Sequence, residues 1–317
     1  MLNFIIKRLL TSILVIIGVT IVIFSLVHMA PGDPVQMMAG LDAKEEDIEA
    51  LRAKMGMDKP LIVQYFNYVK GLLHLDLGKS IITNKNISDE IFFRFRNTAE
   101  LAVAGMLISS VFGIFIGIVA AVNRDRWLDK TLMSLSITGI SMPSFLLALL
   151  LMLLLMLLLV SQWHLLPASG REGSPFTAEG FKYIILPALT LGISGTASIA
   201  RLTRSSVVAV LNEEFVMTLK AKGLRRKMIL FKHILRNASL PILTMIGLDF
   251  GYLLGGAVVT ETIFAWPGIG KYAMDAISQN DFPAVQGAVL ILSMMFMLIN
   301  LVVDLLYGVL DPRVSLE

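Results

Sequence analysis

Six apolar stretches of about twenty residues or more interrupt this sequence, at about 9–29, 98–122, 131–160, 183–203, 241–263 and 284–309. A bilayer's hydrocarbon layer is about 30 Å thick, which a helix of about 20 apolar residues crosses. No water is available there, so every backbone N–H and C=O must be satisfied inside the crossing element. An all-α polytopic membrane protein with six transmembrane helices follows. Only 16% of the residues are charged, against about 25% in soluble domains, and the apolar excess is concentrated in these runs.

Several chemistries are excluded at once. The chain has no cysteine, so disulfides, thiolate metal sites and cysteine nucleophiles are absent. Its four histidines are scattered and no His-Glu-x-x-His occurs, so no metal and no cofactor is expected. The eighteen methionines lie mostly in apolar runs, where they pack. A pI near 9.0 suits a polytopic protein with basic residues on one side, and no nucleic-acid partner is implied. Lys7 and Arg8 precede the first run as they would in a signal peptide. That run is too long for such a peptide and lacks a small-residue cleavage site, so it reads as a retained span.

The chain divides as residues 1–29, a tail with the first span; 30–97, an extracytoplasmic region; 98–309, the membrane core, with a loop at 205–240; and 310–317, a short tail. Pro31-Gly32-Asp33-Pro34 ends the first helix. Ala43–Lys54 and Leu61–Leu73 have helical periodicity, so 30–97 is a folded region and not a linker. Pro143 is expected to kink the third span, whose Leu/Met run at 145–160 has no polar face and suits lipid. Trp163 and His164 suit the membrane interface. Spans four and five are rich in small residues (Gly192, Ser194, Gly195, Gly247, Gly251, Gly255, Gly256), which permit close helix approach.

Orientation follows from basic residues near span ends. One side holds Lys7, Arg8, Arg124, Arg126, Lys130, Arg201, Arg204, the 213–241 cluster and Arg313, while the other side's short loops hold Arg171, Lys182 and Lys271. Both termini and the 213–241 loop are therefore expected in the cytoplasm.

Two motifs are decoys. Gly78-Lys79-Ser80 resembles the end of a phosphate-binding loop, but Leu73 stands where the first glycine is required. Gly192-Ile193-Ser194-Gly195 resembles a serine-nucleophile motif, yet no histidine lies in spans four to six to activate it. Acids inside a membrane are costly and are functional candidates by default. Asp249, Glu261 and Asp304 are these candidates, with interhelical hydrogen bonds as the structural alternative. Asp249 and Glu261, with Gly256 on the same helix, are candidates for the lining of a translocation path.

The segment Glu213–Pro241 carries nine charges, seven of them basic. Topology alone needs only a few basic residues. Here Glu213 and Glu214 stand at a helix start, Lys220 and Lys222 follow, and Gly223 breaks the helix before a second helical run to Pro241. A helix, a glycine corner and a second helix make a docking knob for a cytoplasmic partner.

This segment resembles the EAA loop of ABC-transporter permease subunits, in the extended form found in dipeptide, oligopeptide, nickel and glutathione importers. Further matching motifs run along nearly the whole chain in the family's order. They include Ile6-Lys7-Arg8-Leu9-Leu10, Pro31-Gly32-Asp33-Pro34, Leu75-Asp76-Leu77-Gly78-x-Ser80, Arg201-x-Thr203-Arg204-Ser205, Ala221-Lys222-Gly223, Glu261-x-x-Phe264-x-Trp266-Pro267-Gly268 and Asp304-Leu305-Leu306-Tyr307. The pattern is similar to the first (B-type) permease, and within it to the glutathione and dipeptide permeases.

The resemblance implies a type I ABC importer permease fold in a bacterial inner membrane. It implies inward passage of a peptide-like solute, with a nickel or metal-chelate cargo as the alternative. It implies a second homologous permease (a heterodimer), two cytoplasmic ATP-binding subunits that hydrolyse ATP, an extracytoplasmic substrate-binding protein, and contact with membrane lipid. Carried over residue by residue, Glu213, Glu214, Thr218, Ala221, Lys222, Gly223 and Leu224 would meet the ATPase. Pro31, Gly32, Asp33 and Trp266 would meet the binding protein. Met217 and Leu219 depart from the Arg and Ala common in the family. An ion-coupled secondary transporter using Asp249 and Glu261 is the first rival, although such folds usually show internal repeats and none is visible. A hydrolase built on Ser194 is the second.

Overall fold

The computed structural model describes residues 2–29, 35–36, 44–142, 144–155, 166–167 and 169–310. Among the described residues the regular structure is helical, apart from one isolated bridge between Lys79 and Asn86. In chain order the helices are α1 (Leu2–Met29), α2 (Glu45–Met55), α3 (Leu61–Leu73), α4 (Ile87–Val122), α5 (Trp127–Ser141), α6 (Ser144–Leu155), α7 (Ala178–Leu211), α8 (Glu214–Ala221), α9 (Arg226–Ile263), α10 (Ile269–Ser278) and α11 (Phe282–Leu310). Five of these are long and apolar enough to cross a membrane: α1, α4, α7, α9 and α11.

The third expected span, 131–160, is divided rather than kinked. α5 stops at Met142, whose φ −84 and ψ 137 are extended, and α6 starts again at Ser144. The cause is local. The ring of a proline collides with the backbone of the residue before it and drives that residue out of the helical region. Pro143 itself, residues 156–160, Trp163 and His164 lie outside the described residues.

Pro241 has the opposite outcome. The second helical run, expected to lead up to Pro241, continues through it as part of α9. Pro241 and Asn237, four residues earlier, are both exposed, so the carbonyl that loses its N–H partner is not trapped in the core. A π-helical turn at Ile229–Ile234 widens α9 shortly before and turns Ile229 and Ile234 into the interior together. The 264–283 segment, expected as a loop, carries α10. Its buried residues Ile269, Ala273 and Ala276 recur with the helical period.

The chain forms two compact units. One comprises Ala99–Trp266 with the chain from Leu298 onward. Its packing rests on glycines where helices approach closely. A Cβ added at Gly113 would stand 2.7 Å from Ile199, one at Gly117 2.5 Å from Thr203, and one at Gly192 2.7 Å from the Gly105 carbonyl. These pairs join α4 to α7. Gly247 meets Val303 in the same manner, joining α9 to α11. Without a hydrophobic force between helices in lipid, such small-residue contact is the main source of association.

The second unit comprises Leu2–Thr98 with Pro267–Met297. Asp281 organises it. One carboxylate oxygen accepts from the backbone N–H of Ile81 at 3.2 Å and of Ala284 at 3.3 Å, and the other accepts from the Ser80 hydroxyl. The same side chain thus caps α11 and holds the turn at Ser80. Thr98 Oγ1 accepts from the N–H of Ile269 at 2.9 Å and Asn97 Nδ2 donates to the Pro267 carbonyl at 2.7 Å, which seats α10. Arg94 lies 4.7 Å over the Tyr272 ring.

Glycine substitutions separate packing from propensity. Gly117→Ala is expected to destabilise the protein by about 1–3 kcal/mol, because the added methyl collides with α7. Gly255→Ala, where nothing lies within 4 Å, is expected to be neutral or to stabilise by up to about 1 kcal/mol through helix propensity. Thermal unfolding of the two variants in detergent checks the contrast.

Candidate functional site

The helix, glycine corner and second helix expected within 213–241 are present, and the anchoring of the first helix is visible. α7 ends at Asn212, the chain turns at Glu213, and α8 occupies Glu214–Ala221. Gly223 then adopts φ +77, which only glycine takes without strain, and α9 begins at Arg226. Nothing stands within 4 Å of the place a Gly223 Cβ would occupy, so backbone conformation and not space requires glycine there. The corner is closed by the Gly223 N–H on the Lys220 carbonyl at 3.0 Å and the Leu224 N–H on the Leu219 carbonyl at 3.3 Å.

α8 has one inward and one outward face. Val216 is fully buried at 0% exposure in a cluster with Ala121, Val207, Val210, Ile229, Ile234, Ala238 and Ile242. Phe215, Leu219 and Leu224 pack against that cluster. Glu214, Met217, Thr218 and Ala221 stand on the opposite face, spaced i, i+3, i+4, i+7, and all are exposed. Glu213, Lys222 and Gly223 are exposed beside them.

This resolves the two departures differently. Leu219 faces the cluster and lies away from the exposed stripe. Met217, 71% exposed, stands in the middle of it. Leu224 is only half-exposed and contributes more to the anchor than to the free face.

A second anchor lies on α7 above the knob. Arg204 grips Asp129 with two bonds, Nε to Oδ1 and Nη2 to Oδ2, each 2.6 Å. Asp129 is 2% exposed and also accepts from the Asp125 N–H at 2.9 Å. Hydrogen bonding from the Arg204 guanidinium holds the Asp129 carboxyl below its ordinary 3.8, against the opposing effect of burial. The pair fastens the start of α5 to α7. The two residues are 75 positions apart; the sequence marked Arg204 as a basic residue near a span end and did not mark Asp129 at all.

Of the membrane acids, Asp249 is 7% exposed within α9, and its Oδ2 has no hydrogen-bond partner among the described residues. It faces Gly195 of α7, whose added Cβ would lie 3.6 Å from that oxygen and 3.1 Å from Ser109 Cβ. Gly256 lies one side chain from Leu191. Glu261, at the far end of α9, is fully buried and partnered. The structure therefore puts Asp249 and Gly256 against α7 and does not group Glu261 with them. The side chain of Asp304 lies outside the described residues. The Ser194 hydroxyl donates to the Leu191 carbonyl at 2.8 Å, and its neighbours Gly192 and Gly195 pack helices. Among the described residues no group of three or more His, Asp or Glu side chains could hold a metal ion.

Pro31, Gly32 and Asp33 lie outside the described residues. Trp266 is 1% exposed, so it cannot itself form a docking surface. It belongs to a buried cluster with Leu101, Ile184, Ala188, Leu191, Leu253 and Ala257. Arg171 lies 5.4 Å over the Trp266 ring while bonding Glu100 at 2.6 Å, and the Gly170 N–H meets the Phe264 carbonyl at 2.8 Å. Trp266 thus supports the segment around Gly170 from beneath.

Comparison with known proteins now decides the family. The family described as "Binding-protein-dependent transport system inner membrane component" matches residues 113–316, and the N-terminal family of the same systems matches residues 1–102. The chain belongs to this family. It is a transport permease of a multi-pass inner-membrane kind, not an enzyme, and works with other subunits in an ABC importer. It is 41% identical over 314 residues to the glutathione transport system permease protein GsiC of Escherichia coli, covering 99% of each chain. Identity to the same protein of Salmonella typhimurium is 42% over 314 residues, again covering 99% of each chain. Its fold is similar to a chain of the MetNI methionine ABC transporter in inward-facing conformations. That match has a TM-score of 0.56 at 15% identity and covers 70% of this chain and 96% of that one.

The Arg204–Asp129 pair gives a stability prediction. Arg204→Ala leaves a buried carboxylate without its partner and is expected to cost about 3–5 kcal/mol. Arg204→Met combined with Asp129→Leu is expected to recover most of that loss. Because the folded pKa of Asp129 is depressed, its contribution is full above its ordinary 3.8 and is lost as pH falls through the lower folded value. The melting temperature of wild type minus that of the double variant, measured from pH 7 downward, should therefore stay constant to about pH 4 and shrink only below it.

Proposed function

We propose that this permease forms half of the translocation pore of an ATP-driven importer for peptides or glutathione-like solutes, and that α8 is the element through which ATPase subunits drive it. The exposed stripe Glu214–Met217–Thr218–Ala221 on a helix pinned by the buried Val216 carries the proposal. A surface meant only to fix topology needs no such anchor. The substrate class rests on relatives named as glutathione transport permeases that match over 99% of both chains.

In this reading both termini and α8 are cytoplasmic, and a second homologous permease completes the pore. Two ATP-binding subunits each receive one knob. Glu213, Glu214, Thr218, Ala221, Lys222 and Gly223 make the contact, Met217 supplies its apolar centre, and Leu224 braces it. Closure of the ATPase pair displaces α8, and α7 and α9 tilt with it, exchanging inward- and outward-open states. Asp249 and Gly256 line the path between α9 and α7, with Glu261 nearer its outer mouth. A substrate-binding protein docks on the opposite face through Pro31, Gly32 and Asp33, with Trp266 as internal support.

Gly223→Asp or deletion of 218–224 is expected to abolish ATP-dependent uptake in proteoliposomes holding the full assembly, while the variant still inserts in the membrane. Met217→Asp is expected to reduce uptake at least tenfold without lowering the melting temperature, since Met217 contributes no buried packing. Normal uptake by the deletion variant would sink the proposal, as would uptake that survives ATP depletion with the ion gradient held.

A further inference from the structure

α3 lies in the 30–97 segment, which sequence reasoning places outside the membrane, yet it is packed on a membrane span. Thr20, Phe24 and His28 stand one turn apart on α1 and form its docking stripe. Thr20 Oγ1 and the Tyr65 hydroxyl are 3.0 Å apart, and His28 Nε2 is 3.1 Å from Gln64 Oε1. The Phe24 ring meets Tyr65 edge-on at 5.4 Å and stacks on Tyr68 at 6.0 Å.

The depth of that stripe can be read along α1. Lys7 and Arg8 bound its apolar run. A hydrocarbon layer of about 30 Å covers about 20 residues at a rise of about 1.5 Å each, which sets the far boundary near His28. By the same rise Phe24 lies about 6 Å and Thr20 about 12 Å inside that boundary. Tyr65 and Tyr68 therefore meet α1 beneath the headgroups.

The remaining faces of α3 agree with that depth. Ile62, Phe66, Val69 and Leu73 recur at i, i+4, i+7, i+11, and Ile62, Phe66 and Leu73 are 71%, 65% and 80% exposed. Asn67 and Lys70 are exposed on the adjoining side. The helix thus has a face on α1, a bare apolar face and a polar edge. Only 11% of the apolar window of α1 is buried, so that span, like the bare face of α3, presents apolar surface outward.

We infer that α3 is an interfacial helix seated in the leaflet at the Met29 end of α1. Ile62, Phe66, Val69 and Leu73 lie against lipid acyl chains, and Asn67 and Lys70 lie at headgroup level. The placement holds whichever face of the membrane that leaflet belongs to, so it stands apart from the proposed function. It makes the segment between α1 and α4 a platform held to the bilayer.

The absence of cysteine makes the test direct. Ile62→Cys, Phe66→Cys, Leu73→Cys and Lys70→Cys, each in the full assembly in liposomes, are labelled with bimane and quenched by shallow doxyl-phosphatidylcholine or by aqueous iodide. Doxyl lipid is expected to quench positions 62, 66 and 73 at least threefold more than position 70, with iodide showing the reverse order. Iodide quenching at 66 equal to that at 70 would place the face in water and overturn the inference. Shielding of 62, 66 and 73 from both quenchers would mean that a protein covers it, which overturns it equally. Leu73→Cys, at the end of α3, reads the same face should Phe66→Cys fail to fold.

Discussion

The closeness of α4 to α7 is the constraint on which the larger unit depends. Lipid gives two helices no hydrophobic reason to meet, so the contact must come from dispersion between surfaces that fit. Gly105, Gly113 and Gly117 on α4 and Gly192 on α7 remove the side chains that would hold the two backbones apart. α9 and α5 pack on α7 as well, and together these contacts enclose it. The apolar window of α7 is 61% buried, against 28% for α4, 39% for α9 and 22% for α11. A helix enclosed to that degree cannot slide independently of its neighbours, so displacement at one end must appear along its length.

The contacts along α7 follow one another closely. Going down the helix, Gly192 meets α4, Gly195 meets Asp249 and Ser109, Thr203 meets Gly117, Arg204 grips Asp129, and Val207 and Val210 enter the cluster that holds Val216. Each attachment follows within about two turns of the last. No soft joint intervenes between the helix crossing and the knob. The Arg204–Asp129 pair ties α5 to the same helix whose end enters the cluster under α8.

The spans were legible because hydropathy averages over twenty residues and tolerates local error. What failed to show depended on single partners far apart in sequence. Pro143 announced a disturbance, and only the extended Met142 shows that it ends a helix. Pro241, by contrast, stands inside α9 without ending it, where both it and Asn237 are exposed. α10 carried a readable period in Ile269, Ala273 and Ala276 that the Trp-Pro-Gly turn beside it obscured. In the knob, Glu214, Thr218 and Ala221 were named only through the resemblance to the EAA loop, and the structure sets them on one exposed helix face. That Leu219 points inward and Met217 outward was not legible, since both are apolar and only burial distinguishes them. Arg204 and Asp129, and Tyr65 with Thr20, were invisible as pairs because nothing local in the sequence links positions so distant. Trp266 was expected at a docking surface only through the family resemblance, whereas here it is buried and Arg171 lies over its ring.

The length of α8 sets how it can work. It has eight residues, and isolated helices shorter than about 12–15 residues are marginal in water. Its helicity is therefore supplied by Val216, Phe215 and Leu219 on the cluster below, not by its own sequence. The same cluster joins the end of α7 (Val207, Val210) to the start of α9 (Ile229, Ile234, Ala238). A partner that grips Glu214, Met217, Thr218 and Ala221 thus holds a helix that exists only while those two long helices keep their relative position. Binding and helix arrangement are coupled by construction: any partner that pulls on the knob pulls on the joint between α7 and α9.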